Sequence, residues 1–205
     1  MLIKFKELVE RYGKPKGVIH IGAHMLEEQN QYLEYSLDNT VWIEANPKIY
    51  QKAKSKLKSN EKLFNHTICD VNNKLMMFNV TNNGQSSSIL ELDVHKKYYP
   101  GINVTERIEV KSIRMDKLIS DNNINISDYD FLNLDIQGAE LLALKGFGEL
   151  LNNITYIYTE VNTNTLYKNC ALLKDIDDYL KNYGFERVEI KMNIAEWGDA
   201  FYIKK

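Results

Sequence analysis

Short apolar runs that stop on a glycine or an acidic residue alternate with stretches of helical composition through much of this sequence, and that alternation leaves few folds open. Residues 17–22 form a β-branched run ending at Gly22, and residues 25–37 then have helical composition. Residues 41–45 read as a second buried strand, after which Asn46 and Pro47 supply an N-cap and a first-turn proline for a Lys-rich helix reaching about Ser59. Residues 63–69, 129–135 and 154–160 read as further strands, with a short helix over 138–145 and an amphipathic one over 172–180 that ends at Gly184. Strands that alternate with helices in this way form βαβ units. The expected fold is therefore α/β, with a mainly parallel sheet covered on both faces.

The flanks and the middle complete the outline. Leu2, Phe5, Leu8 and Val9 recur at helical spacing before Gly13 and Pro15, which predicts an N-terminal helix over about 2–12. Residues 185–191 and 199–204, separated by a loop holding Trp197 and Gly198, resemble a closing antiparallel hairpin. Residues 74–80 and 107–113 look like strands, and the turn-rich stretch from Asn82 to Gly101 between them is long enough to carry function. No repeat or linker interrupts the chain, so a single domain over residues 1–205 is expected.

Composition narrows the function. Twenty-six basic residues against 28 acidic ones give a formal net charge of −2, which leaves no electrostatic footprint for general nucleic-acid or anionic-membrane binding. Two cysteines, Cys69 and Cys170, are too few for a disulfide framework or a zinc site and fit a reducing compartment. The charged N-terminal stretch lacks the apolar core of a signal peptide, and no run approaches the roughly 20 apolar residues of a membrane span. A cytoplasmic protein is expected, within the host cytoplasm if the source is viral.

In an open α/β sheet, ligands bind beyond the carboxyl ends of the strands. The residues standing there are Gly22, Ala23 and His24 after the first strand, Glu44 at the second, Cys69 and Asp70 at the third, Asp135 at the fourth and Glu160 at the fifth. Gly22 lets a ligand approach the backbone, although any strand end can use a glycine simply to turn. Glu44, about twenty residues on, is placed to accept both hydrogen bonds from the vicinal hydroxyls of a ribose, which together with Gly22 points to an adenosine-containing cofactor. Asp135 closes an otherwise apolar strand, where an acid can position a hydroxyl or remove its proton; it also suits a helix cap. Gly22 and Glu44 would equally serve a nicotinamide-dependent oxidoreductase, but His24 stands where a second fingerprint glycine belongs.

Several blocks in order resemble the FkbM-type methyltransferases, a branch of the class I fold dependent on S-adenosylmethionine. They are residues 18–24, 41–47, 86–90, 112–116, 130–146, Glu160 with Val161, and 197–202, of which 130–146 is the most specific. The resemblance implies a three-layer, Rossmann-like arrangement around a seven-stranded sheet whose last strand is antiparallel. It implies that Gly22, Ala23 and His24, with His20 nearby, lie against the methionine part of S-adenosylmethionine, that Glu44 binds the ribose, and that Asp70 lies near the adenine. It also implies methylation of a hydroxyl, often on a sugar, with Asp135 as first choice for general base and His24 as second. His20 stands where an acid is common, and Gln137 replaces the second acid of an Asp-Val-Glu-Gly block. A non-catalytic domain that keeps the fold is the alternative these departures leave. For the acceptor, expected to be a carbohydrate or another hydroxylated small molecule, Ser87, Tyr98, Glu160 and Asp199 are candidate contacts, with Tyr99, Tyr167 and Trp197 available for stacking on a sugar. No metal is expected.

Overall fold

The computed structural model describes residues 1–205. Seven strands form the main sheet in the order β3-β2-β1-β7-β8-β10-β9. They are β1 (Val18–Ile21), β2 (Thr40–Ile43), β3 (Lys62–Phe64), β7 (Phe131–Leu134), β8 (Tyr156–Asn162), β9 (Phe185–Met192) and β10 (Trp197–Lys204). The first five named run parallel to one another, and β10 enters antiparallel between β8 and β9. A smaller sheet, β4-β6-β5, holds β4 (Thr67–Ile68), β5 (Leu75–Thr81) and β6 (Val104–Ile113).

Successive strand side chains point to opposite faces, and the sequence uses both. On β1, β2 and β7, Ile19, Ile21, Val41, Ile43, Leu132 and Leu134 join the larger core, with Met115 and Leu118 of α5 (Met115–Asp121), Leu144 of α6 (Glu140–Phe147) and Ile176 of α7 (Leu173–Lys181). The alternate residues Val18, Trp42 and Phe131 face a second core with Phe5 and Leu8 of α1 (Phe5–Tyr12), Tyr32 of α2 (Gln29–Leu33) and Ala53 of α3 (Pro47–Lys54). Two helical layers thus enclose one sheet. No helix is long and apolar enough to cross a membrane, and both cysteines are free and buried.

Four local expectations are corrected. The helix expected over 25–37 shrinks to α2, because His24 and Leu26 adopt left-handed backbone conformations, φ 40° and 61°, that coil the chain into turns first. The strand expected over 63–69 breaks at Asn65 and His66, so that its halves pair in different sheets. Trp197 and Gly198 lie inside β10 rather than in the hairpin loop. The stretch 82–101 is tied down: it carries α4 (His95–Tyr98), and bridges join Asn79 to Ser88 and Leu92 to Tyr167.

Register fixes the site. Ile21 pairs with Ile43 on one side and Leu134 on the other, and Leu134 pairs with Thr159. The next residue of each strand is Gly22, Glu44, Asp135 or Glu160, and Glu160 in turn pairs with Asp199 of β10. Five neighbouring strands therefore bring Glu44, Gly22, Asp135, Glu160 and Asp199 to one level.

Candidate active site

A cavity of about 510 Å³ opens over that row, within the size range of small-molecule sites. All four histidines of the chain line it, and no lysine or arginine side chain does.

Gly22, just past β1, packs against the backbone that follows β7. Its φ is 92°, and a Cβ there would stand 1.8 Å from the Asp135 carbonyl oxygen. Both the Gly22 and Ala23 amides donate to the Ile43 carbonyl, which locks the turn to β2. The Glu44 carboxylate accepts from the His24 amide at 2.8 Å and the Asn46 amide at 2.7 Å, one at each oxygen, leaving a lone pair on each for a ligand. Burial pushes its pKa up, against those two amides. The His24 ring bonds Glu27 at 2.6 Å, and that hydrogen bond is the main reason its pKa is raised.

Asp135 is exposed, and its surface lines the cavity. Gln137 donates from Nε2 to Asp135 and to Glu160, 2.7 Å each, and accepts from the Tyr167 hydroxyl at 2.6 Å. This amide separates two carboxylates, and the one cation that reaches the site is the Met1 ammonium, which pairs with Glu28 at 3.7 Å and favours the ionised form of Asp135. Desolvation by the enclosing cavity walls, opposed by the Gln137 hydrogen bond, pushes Asp135 up to about 6, and burial drives Glu160 well above the usual range. Glu140, 1% exposed, accepts from the Ile136 and Gly138 amides and so ties the turn after β7, yet burial raises it to about 7.

The sign of that last shift gives a prediction. A folded-state pKa above the unfolded value means stability that is complete below about 4.5 and declines as pH rises through 7. Glu140→Gln keeps the acceptor oxygen for both amides and removes the charge. Calorimetric melting should place this variant above the wild type at pH 8, with the gap closing at pH 5.

His20 belongs to a relay that its place in β1 conceals. Asn133 Nδ2 donates to the Tyr32 hydroxyl at 2.8 Å, so that hydroxyl's proton goes to His20 Nδ1, 3.1 Å away. The ring proton is then on Nε2, which faces Glu28 at 4.0 Å. Burial lowers His20 to about 3, keeping it neutral, and raises Glu28. Glu28 lines the cavity, so a carboxylate is present on this side although β1 carries none.

The profile of the family described as Methyltransferase FkbM domain matches residues 13–187. The chain belongs to the FkbM methyltransferase family. It is 24% identical over 188 residues to the 2-O-methyltransferase NoeI of Sinorhizobium fredii, covering 87% of this chain and 76% of that one. Among solved structures, the methyltransferase domain of a bacterial CtHen1 has TM-score 0.53 at 11% identity, covering 97% of this chain and 93% of that chain. The magnesium protoporphyrin IX methyltransferase of Synechocystis PCC 6803, solved with bound SAM, has TM-score 0.51 at 9% identity, covering 92% and 69%. Identities this low establish the class I fold. Family and fold together make this an S-adenosylmethionine-dependent methyltransferase, and the nicotinamide alternative falls away.

The cavity of this FkbM methyltransferase fits such a cofactor. Gly22 lines the cavity, the Glu44 oxygens retain acceptor capacity, and the buried Thr67 hydroxyl has no protein partner. His20, Gly22, His24, Glu44, Ser87, Asp135, Glu160 and Asp199 all line the cavity. Ala23 is buried in the second core and is not part of the lining. Asp70 lies outside the lining, its Oδ1 accepting from the Cys69 thiol; because the strand breaks at His66, residues 66–68 form that wall instead. Tyr98 also lies outside: its hydroxyl donates to Glu196, while α4 turns His95 and Tyr99, four apart, toward the cavity. Asp199 faces inward but accepts from Tyr158 and from the Leu2 amide. Sequence reasoning missed Glu28, Thr67 and His95. Glu28 follows turns that looked helical, Thr67 hides in the broken strand, and His95 sits in a stretch without periodicity.

Proposed function

We propose that this protein transfers a methyl group from S-adenosylmethionine to a hydroxyl of an uncharged, saccharide-like acceptor. The observation carrying this reading is Asp135, an acid at the tip of a central strand that opens into the cavity one strand from the Gly22 turn. The cofactor supplies an electrophilic methyl on a sulfonium. Gly22 would let β1 and β7 close into the floor beneath it, Glu44 would accept from the ribose, Thr67 would meet the base, and Glu28, now paired with the Met1 ammonium, would hold the ammonium of its amino-acid portion. Asp135 would orient the acceptor hydroxyl and take its proton, and a pKa of about 6 lies close to working pH, as a general base requires. Oxygen as the target is supported by NoeI, a 2-O-methyltransferase. An uncharged acceptor agrees with a cavity rich in carboxylates, free of lysine and arginine, and walled on one side by Tyr99, Tyr167 and Trp197. Two unpaired, buried thiols support a cytoplasmic location.

The test is incubation with methyl-labelled S-adenosylmethionine and a panel of neutral methyl glycosides and oligosaccharides, with sugar phosphates as controls. Labelled ether products from neutral members are expected, and none from the phosphates. Exclusive methylation of the phosphates would refute the acceptor class.

The assignment of Glu28 has its own measurement. S-Adenosylhomocysteine carries the ammonium, whereas 5′-methylthioadenosine lacks the whole amino-acid portion. By calorimetry, Glu28→Gln should weaken the first about 10- to 100-fold, the scale of one charge-assisted hydrogen bond, and leave the second within about twofold. Equal weakening of both would reduce Glu28 to a structural role.

A further inference from the structure

Beside the aromatic wall of the cavity stands an imidazole with nothing to bind. His95 is 4% exposed, its Nδ1 is buried without a hydrogen-bond partner, and its Nε2 has no protein partner either and is left for the cavity. A buried unsatisfied nitrogen costs stability in the free protein, and a ligand that bonds the ring offsets part of that cost.

Its surroundings hold it in place. The amides of Asp93 and His95 donate to the Leu166 carbonyl, and that of Val94 to Thr165, so α4 is bolted to the segment after β8. The ring lies between Tyr99 and Tyr167, with centroids 4.9 and 5.5 Å away, beside a third apolar cluster built on Leu92, Leu166, Tyr167 and Cys170. The other polar tips of this wall are engaged: Trp197 Nε1 donates to the Tyr99 hydroxyl at 2.9 Å, and the Tyr167 hydroxyl donates to Gln137. Tyr99 retains its own proton. The aromatic wall therefore offers a ligand one free hydroxyl proton and one wholly free imidazole.

We propose that His95 is an acceptor-binding residue, hydrogen-bonding through Nε2 to a hydroxyl of an uncharged polyol ring seated against Tyr99, Tyr167 and Trp197. A hydroxyl both donates and accepts, so it satisfies Nε2 in either imidazole tautomer, which a carbonyl or an ammonium group would not. Burial lowers the His95 pKa and keeps the ring neutral, so it does not select an anion. Tyr167 links this wall to the reacting end, since its hydroxyl bonds the same Gln137 that holds Asp135. The inference rests on the saccharide reading above and adds the residue that recognises the ring.

The four histidines, all in the cavity wall, make the test direct. With 13Cε1-labelled histidine and single variants for assignment, S-adenosylhomocysteine should move the His24 signal, and saturating methyl β-D-glucopyranoside and methyl β-D-galactopyranoside should then move that of His95. His95→Phe should raise the melting temperature by about 2–4 °C, the response of a chain this size to relief of one unsatisfied group. It should leave S-adenosylhomocysteine affinity within about twofold and lower kcat/KM for the preferred glycoside at least tenfold, with KM bearing most of the change. A gain in stability with unchanged kcat/KM, or glycoside shifts that spare His95, overturns the proposal. If the wild type binds S-adenosylhomocysteine but no glycoside perturbs any histidine, the saccharide reading itself fails, and the ligand class of His95 with it.

Discussion

Asp135→Asn lowers methyl transfer by about two to four orders of magnitude, the range for loss of a general base, while S-adenosylhomocysteine affinity stays within a few fold. The substitution is nearly isosteric, and the Asn carbonyl oxygen still accepts the Gln137 amide that now reaches Asp135 at 2.7 Å, so the turn after β7 is retained. What is lost is a group able to take the hydroxyl proton. The wild-type pH profile should show the same group: turnover rises as Asp135 ionises around pH 6 and levels above it, and the variant loses that limb. Stability should move the other way. The folded pKa of Asp135 lies above its ordinary value, so ionisation costs stability as pH rises through about 6, and the variant should melt no lower than the wild type at pH 8. Reduced turnover with undiminished stability separates a chemical role from a structural one. Turnover within threefold of the wild type would remove Asp135 from the chemistry.

Gly22→Ala has the largest expected effect on the fold at the site. The backbone there has φ 92°, and a methyl group would lie 1.8 Å from the Asp135 carbonyl oxygen, which belongs to backbone that cannot rotate away. The Asp135 amide donates to the Ile21 carbonyl, so opening β1 from β7 breaks the ladder just below the site. Left-handed strain of about 1–2 kcal/mol adds to that separation, for a total of about 3–5 kcal/mol, large for a single substitution. Cofactor binding should be lost even in whatever fraction folds, because Gly22, Glu44 and Asp135 share one register. Gly101→Ala is the matched control: a Cβ there meets nothing within 4 Å, and chemical denaturation should place it within about 0.5 kcal/mol of the wild type.

The parts of this fold that could be read in advance are those where one local rule governs. Residues 18–21, 40–43 and 131–134 are apolar on alternate positions toward two different cores, and Asn46 caps α3 by accepting from the Lys48 and Ile49 amides, as the Asn-Pro pair signals. Because those strands are parallel and in register, reading their ends was enough to collect Gly22, Glu44, Asp135 and Glu160 at one level. Left-handed residues were not legible: His24 and Leu26 have side chains compatible with a helix, and tertiary packing coils them instead. The same coil places Glu28 opposite His20, so the carboxylate missing from β1 returns from a position no strand-end rule indicates. The helix Met115–Asp121 did carry a signal, with Met115, Leu118 and Ile119 at helical spacing and all buried. His95 carried none, since its significance lies in partners it lacks.

The central claim, that the cavity over these strand ends transfers a methyl group to a neutral hydroxyl through Asp135, meets its most direct test in product analysis. Wild type and Asp135→Asn are incubated with trideuteromethyl S-adenosylmethionine and the neutral glycoside panel, and products are read by mass spectrometry. The expected result is a deuterated methyl ether on one neutral glycoside, formed with stoichiometric S-adenosylhomocysteine, and a variant that binds the cofactor but forms the ether at least a hundredfold more slowly. A wild-type protein that binds the cofactor and leaves every hydroxyl unlabelled, or a variant as fast as the wild type, contradicts it.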